Sequence, residues 1–192
     1  MSVLGNALSA AQHYEDALTV GVAELLMMRR LGSPEHAILI AQGNLASTYQ
    51  FGGRLEQALL MRRDVYTRRL ELDGEENDST LRAANNYALT LLDLQRFEET
   101  KSLLRKTISV ARRTLGLKHG LMLKMRWFYA MALYTDAAAM LDDLREAVET
   151  PVETERIARL ILGNSHPNVM GLEKCLGDAR AALSARETPS TG

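Results

Sequence analysis

Residues 83–100 read AANNYALTLLDLQRFEET, and the spacing of apolar residues on either side of the Gln95-Arg96 pair decides the fold. Leu81, Ala84, Tyr87, Ala88, Leu91 and Leu92 recur at three- and four-residue intervals, the signature of one helix face. Beyond the polar pair, Phe97, Leu103, Leu104, Ile108 and Leu115 resume a helical period, and Gly116 ends it. The expected unit is helix, tight turn, helix.

Outward from this stretch the unit repeats. Gly32, Gly74 and Gly116 stand 42 residues apart, and Ala46, Ala88 and Ala130 keep the same interval. A fixed period of this size marks a chain built by stacking one supersecondary unit. The segments GSPEHAI, GEENDST, GLKHGLM and GNSHPNV begin at Gly32, Gly74, Gly116 and Gly163, so the last interval is 47. Ala147 precedes Gly163 by 16 residues, as Ala58 precedes Gly74, which places the five extra residues between Ala130 and Ala147. In the second unit Ile38, Leu39, Leu45, Ala46 and Tyr49 form one helix face and Gly52-Gly53 the turn. Leu55, Ala58, Leu59, Val65, Tyr66, Leu70 and Leu72 form the next face. The expected organisation is a single repeat domain over 1–186, with repeats at 1–33, 34–75, 76–117 and 118–164. A capping helix at 166–186 and a flexible tail at 187–192 complete it.

Local chemistry refines this reading. Arg29-Arg30, Arg68-Arg69 and Arg112-Arg113 gather before the connector glycines, where cations favour a helix carboxyl end. Ala46, Ala88 and Ala130 on first helices, with Ala17, Ala58 and Ala147 on second helices, mark places where backbones approach closely. Thr150-Pro151-Val152-Glu153 has the form of a capping box with proline at the first helical position, so a break or sharp kink is expected near Thr150. Val169, Leu172, Leu176, Ala179 and Leu183 make a terminal stripe opposite Glu173, Lys174, Asp178 and Arg180, the polar outer face that ends a stack in water. Val3–Ala11 reads as a short opening helix that caps weakly and leaves self-stacking open.

Composition excludes several classes. A 192-residue chain with 5% aromatic residues and nine methionines suits aliphatic packing between helices better than a β-sandwich. With 23 basic and 24 acidic residues nothing global attracts nucleic acid or a membrane surface. Cys175 is alone, so no intramolecular disulfide framework or cysteine zinc cluster forms, which fits a reducing, cytoplasmic setting. No apolar run approaches the roughly 20 residues of a membrane span, and no basic-then-apolar leader is read at the amino terminus.

The segment quoted above, with GEENDST before it and GLKHGLM after it, resembles the 42-residue tetratricopeptide repeat of kinesin light chains and related proteins. The resemblance rests on Asn85, Asn86 and Ala88 in the first helix and on the turn pairs Gly53-Arg54 and Gln95-Arg96. It extends to Glu15 to Ala17, Glu56 to Ala58 and Glu146-Ala147 opening second helices, and to Leu162, Gly163, His166 and Pro167 in a connector. It covers most of residues 1–186. Thr100 in place of the second-helix alanine, two connectors without proline, the insertion and Pro151 depart from the pattern. The resemblance implies an all-α, right-handed α-solenoid of about four helix-turn-helix repeats plus a carboxyl-terminal capping helix. First helices would line a concave groove that binds peptides.

Mapped by that pattern, the groove carries Ser47, Gln50, Arg82, Asn85, Asn86, Lys124, Trp127 and Met131, with Asp93 and Tyr134 beside them. Asparagine amides can hydrogen-bond an extended peptide backbone, and Arg82 and Lys124 can receive an acidic side chain or a carboxyl terminus. Trp127 either anchors a partner or fills space between repeats; Arg82 and Lys124 are either contacts or solvated charges; Asn85 and Asn86 either touch ligand or bond between helices. His36, His119 and His166 recur in connectors because the repeat recurs, not as a metal site, and Asp142, Asp143 and Glu146 read as a solvated acidic face. The expectation is a non-enzyme without cofactor or metal, an adaptor for a protein or peptide partner, acidic in character. The alternative is an assembly module that stacks on another repeat chain or on itself and exposes apolar side chains at its first helix or convex face. Because Ala88 sits at a close helix approach, Ala88→Leu should overpack it and lower stability by roughly 1–3 kcal/mol in urea unfolding followed by circular dichroism.

Overall fold

The periods read from the sequence become eight helices in a computed structural model, which describes residues 13–188. They are α1 Tyr14–Arg30, α2 Glu35–Phe51, α3 Leu55–Asp73, α4 Asp78–Asp93, α5 Phe97–Thr114, α6 Gly120–Thr135, α7 Leu141–Leu162 and α8 Pro167–Glu187, with no strand among the described residues. The expected opening helix Val3–Ala11 and the end of the tail, from Pro189, lie outside the described residues. In repeat terms, α1, α3, α5 and α7 are second helices, and α2, α4, α6 and α8 are first helices. The chain groups into two compact units, one ending at Leu94 and one beginning at Gln95.

In the first unit α2 packs on α1 and α3, and α4 packs on α3. Leu18 and Leu25 of α1 meet Ile38, Ala41 and Leu45 of α2, with Met28, Tyr49 and Met61 closing the cluster. A second cluster joins Leu39, Val65 and Ala83, one residue from each of α2, α3 and α4. Gly21 lets α1 and α2 come together: a Cβ there would stand 2.9 Å from Leu45 Cδ1. In the second unit α6 packs on α5 and α7, and α8 packs on both α6 and α7. Leu123, Ala158, Val169 and Leu172 form its cluster, joined by Trp127, Ile157 and Leu162.

The small residues do what their period implied. Ala17, Ala46, Ala58, Ala88, Ala130 and Ala147 are all 0% exposed. Thr100, which stands where alanine is the pattern, is equally buried, and its hydroxyl donates to the Arg96 carbonyl at 2.9 Å. The extra polar atom therefore brings its own partner, and the departure costs little.

Turns are set by backbone conformation. Gly53 turns the α2–α3 hairpin at φ +74°, and Gln95, one period later, holds φ +57° without glycine's freedom, a strain of order 1 kcal/mol. After the connectors, three first helices begin the same way. Asn77, His119 and His166 each accept from the amide two residues on, at 2.8, 3.3 and 3.1 Å. His119 and His166 are helix caps, worth about 1 kcal/mol each if they act as Asn caps do, whereas His36 lies inside α2.

One expectation is corrected. The chain does not start a new helix at Thr150: α7 runs for 22 residues with Pro151 inside it and buried. An internal proline removes one backbone hydrogen bond and costs about 3 kcal/mol on an isolated helix. Here Ala147 and Ala158, both 0% exposed, hold the helix in packed contact on either side of it. The Thr150 carbonyl accepts from Thr154 Oγ1 at 2.6 Å and from Arg126 at 3.3 Å, and Glu153 pairs with Arg126 at 2.7 Å instead of closing a cap. The inserted residues enter earlier, in a 136–140 turn two residues longer than 52–54 and in an α7 that starts ahead of its repeat position.

Arg69, one of the cations gathered before a connector glycine, does more than offset a helix dipole. It is 7% exposed, pairs with Asp73 at 3.0 Å and donates to the His36 carbonyl at 3.1 Å, while its own carbonyl accepts from Thr80 at 3.2 Å. The buried guanidinium thus joins α2 to α3, and the same residue's backbone carbonyl receives the start of α4. Among the described glycines of the second unit the tightest is Gly171, where a Cβ would lie 2.3 Å from Trp127 Cη2. Gly171→Ala should therefore destabilise the chain by roughly 1–3 kcal/mol in thermal unfolding, and the loss should shrink in a Trp127→Leu background.

Candidate peptide-binding faces

First helices present one stripe to solvent in each unit, and the helical period decides which residues occupy it. On α2 the stripe is Ile40, Asn44, Ser47 and Phe51, with Ile40 58% and Phe51 68% exposed. On α4 it is Arg82, Asn86, Leu89 and Asp93. Asn86 is exposed, whereas its neighbour Asn85 is 5% exposed and points into the packed interior, its side-chain oxygen without a hydrogen-bond donor. Adjacent residues on a helix differ by about 100° in direction, so one asparagine of the pair faces solvent and the other cannot. Arg82 is exposed and pairs with Asp78 one turn earlier.

Ser47 and Gln50 are committed to a network that the sequence did not reveal. Arg62, on α3 and 7% exposed, donates through Nη2 to Ser47 Oγ at 3.0 Å and to Gln50 Oε1 at 3.1 Å. Gln50 in turn donates to Asp93 at the end of α4. Burial pulls the Arg62 guanidinium down to about 10, and the Asp93 carboxylate opposes that shift. The three helices are therefore pinned beneath this face by a desolvated cation. Position 62 lies among charged neighbours in the sequence, and nothing local marks it as the buried one.

In the second unit Lys124 is exposed at the start of the α6 stripe, and Met131 is half-buried farther along it. Trp127 is packed: its indole lies against Gly171, its ring centroid is 5.9 Å from Phe128, and its buried Nε1 has no acceptor. The indole therefore belongs to the α6–α8 contact. Tyr134, in the last turn of α6, is half-buried; burial pushes its phenol up, and its hydroxyl donates to Cys175 of α8.

A cleft of about 250 Å³ opens on another side of this unit, among Arg105 and Arg112 of α5, Arg126 and Tyr129 of α6, and Glu146 and Glu153 of α7. The Tyr129 hydroxyl donates to Glu146 at 2.8 Å and accepts from Arg105 at 2.7 Å. Burial pushes the phenol up to about 12, and the Glu146 bond adds to the rise while Arg105 opposes it. Hydrogen bonding to Arg126 holds Glu153 below the usual carboxylate range. Of the acidic residues read as a solvated face, Asp142 is exposed, whereas Asp143 faces Lys101 at 3.5 Å and Glu146 is tied to Tyr129 and Arg105. Among the described residues no His, Cys, Asp and Glu cluster could hold a metal ion. Arg126 occupies the position of Ala84 one period earlier, which is the signal in the sequence that this cleft differs from its predecessor.

Cys175, 2% exposed, has its thiol pushed up to about 12 by burial, which the Tyr134 hydrogen bond moderates and the Asp178 charge reinforces. In iodoacetamide labelling at about pH 8 the native thiol should react more slowly than in urea by about tenfold or more, since burial both blocks access and keeps the thiol protonated.

Comparison with known proteins agrees with this fold. Residues 80–120 match the tetratricopeptide repeat family. Among solved structures, the chain is similar to the nearly identical TPR-like repeats of a kinesin light chain candidate from Podosopora anserina. A point-substituted form gives 20% identity over 96% of this chain and 85% of that one, with a TM-score of 0.80. A second structure of those repeats gives 20% identity, the same coverage and a TM-score of 0.78. BtubC (BKLC) from P. vanneervenii is similar at 15% identity over 99% of this chain and 81% of that one, with a TM-score of 0.65. No curated protein sequence matches. The chain thus carries a tetratricopeptide repeat at residues 80–120 within an all-α solenoid fold of the kinesin-light-chain-like type.

Proposed function

We propose that this protein is a non-catalytic interaction module that binds a peptide segment of a partner on the solvent-facing stripes of its first helices. A tetratricopeptide fold supports a protein-binding or scaffolding role, and the observation that carries the finer reading is the make-up of those stripes. Arg82, Asn86 and Lys124 stand in solvent, with Ile40 and Phe51 exposed on the neighbouring first helix of the first unit. Amides can hold an extended backbone, a guanidinium or ammonium can take an acidic side chain, and apolar side chains can supply contact area. Asn86 replaces Asn85 as the backbone-binding amide in this reading, and Met131 replaces Trp127 as the apolar contact on α6.

The proposed partner is a protein with an acidic, extended segment, met in a reducing cytoplasmic compartment that suits the single buried thiol. Among the described residues no helix is long and apolar enough to cross a membrane. The test is a pull-down from a reducing lysate with wild type, Arg82→Glu/Asn86→Ala and Lys124→Glu, each first checked for native helicity. The charge reversals should cut recovery of a shared partner by about tenfold or more, the scale of one or two charge-assisted hydrogen bonds. Unchanged partner recovery by all three proteins would exclude these stripes.

A further inference from the structure

We propose that the outer face of α1 is a self-association surface on which two copies of this chain pair their α1 helices antiparallel, about a two-fold axis beside Val22 and Ala23. The surface is separate from the first-helix stripes, and the proposal stands whether or not those bind peptide. α1 buries Ala17, Leu18, Gly21 and Leu25 against its own unit. Its other face shows Val22 at 37% and Leu26 at 61% exposure, with Thr19 and Ala23 exposed beside them. Glu15, Thr19, Val22, Leu26 and Arg29 follow one another at alternating four- and three-residue steps, the spacing of a helix–helix seam. Asp16, Thr19, Ala23, Leu26 and Arg30 follow the complementary steps, so the face is about two residues wide.

The charge pattern selects the occupant. Glu15 and Asp16 lie in the first turn of α1 and Arg29 and Arg30 in its last. A helix that complements this face must be apolar in the middle, basic opposite the acidic end and acidic opposite the basic end. α1 turned end for end meets that description. With the axis at Val22 and Ala23, Glu15 faces Arg30 of the second copy, Asp16 faces Arg29, and Thr19 faces Leu26. Antiparallel pairing also sets opposite ends of the two helix dipoles together.

Shape agrees with charge. A shallow depression of about 410 Å³ lies along α1, lined by Leu18, Thr19, Val22 and Ala23 and closed by Tyr49 and Arg54. The two-fold brings Leu26 of the second copy beside Thr19, at this depression. The Arg54 guanidinium holds Glu15 at 2.8 Å through both carboxylate oxygens, which fixes that charge at the rim. A 17-residue helix is about 25 Å long, so the contact is small and the dimer belongs to the weak, concentration-dependent class.

Sedimentation velocity of the full chain from roughly 5 to 500 µM reads the equilibrium directly, and the expected result is a monomer passing to a dimer within that range. Leu26→Asp, at an exposed position that leaves helicity intact, should weaken dimerisation by about tenfold or more. Asp16→Arg and Arg29→Asp should each weaken it, and the combined variant should restore it. Under oxidising conditions Ala23→Cys should form a disulfide-linked dimer while Thr19→Cys does not. The two copies of residue 19 stand about 10 Å apart along the axis, beyond disulfide reach. A chain monomeric throughout the range overturns the proposal, as does a dimer indifferent to Leu26→Asp. Equal cross-linking at residues 19 and 23 overturns the antiparallel geometry. Dimerisation seen only after residues 1–12 are removed would assign the face to the chain's own amino-terminal segment. Capture of a foreign helix through Leu26 by a chain that stays monomeric would assign it to another protein.

Discussion

Close approach of neighbouring helices is the constraint on which everything else in this chain depends. α2, α3, α6 and α7 each have an apolar flank that neighbouring helices meet from two sides. That is possible only where side chains are small. Six alanines at zero exposure, together with Gly21 against Leu45 and Gly171 against Trp127, are the points where backbones come near enough for the larger residues to interlock. Hydrophobic burial supplies the favourable free energy, but the small residues decide where it can be realised.

Once the helices are that close, most polar groups between them find partners internally, with Asn85 Oδ1, Trp127 Nε1 and Arg62 Nε as exceptions among the described residues. Thr100 returns its hydroxyl to the backbone, Arg69 spans Asp73 and the His36 carbonyl, and Arg62 spans Ser47 and Gln50. Buried cations of this kind contribute little net stability, since desolvation offsets most of the attraction, yet removing either partner leaves a costly orphan. They hold register between helices whose apolar contacts alone would tolerate sliding. The same logic governs Pro151: the packing around it outweighs one missing backbone hydrogen bond, so the helix continues.

What remains outside the packed interior is where this protein can meet others. First helices turn amides, cations and scattered apolar groups to solvent. The second helix that opens the described chain turns an apolar seam bounded by opposite charges. These surfaces differ in chemistry because they differ in what the repeat leaves uncovered. A first helix keeps a polar stripe wherever its neighbours stop, while α1 keeps a flank shaped for packing. The final helix, α8, instead shows Glu173, Lys174, Asp178 and Arg180 to solvent, so the two ends of the described chain are unlike.

Period and turn chemistry were legible in the sequence by itself. The 42-residue spacing, the alanines, the connector glycines and the helix pairs all follow from local rules that hold wherever a residue finds itself in the fold. Even the site of the insertion could be located by counting from Ala147 to Gly163. Only the tertiary structure decided between members of a pair that look alike in sequence. Asn85 turned inward and Asn86 outward; Arg69 was buried and Arg68 left in water; Trp127 was spent on Gly171; Thr150 declined to cap a helix. Local propensity cannot settle such choices. The rotation of a helix about its axis, and the free energy that overrides a proline, are set by all the neighbours it packs against and not by its own residues.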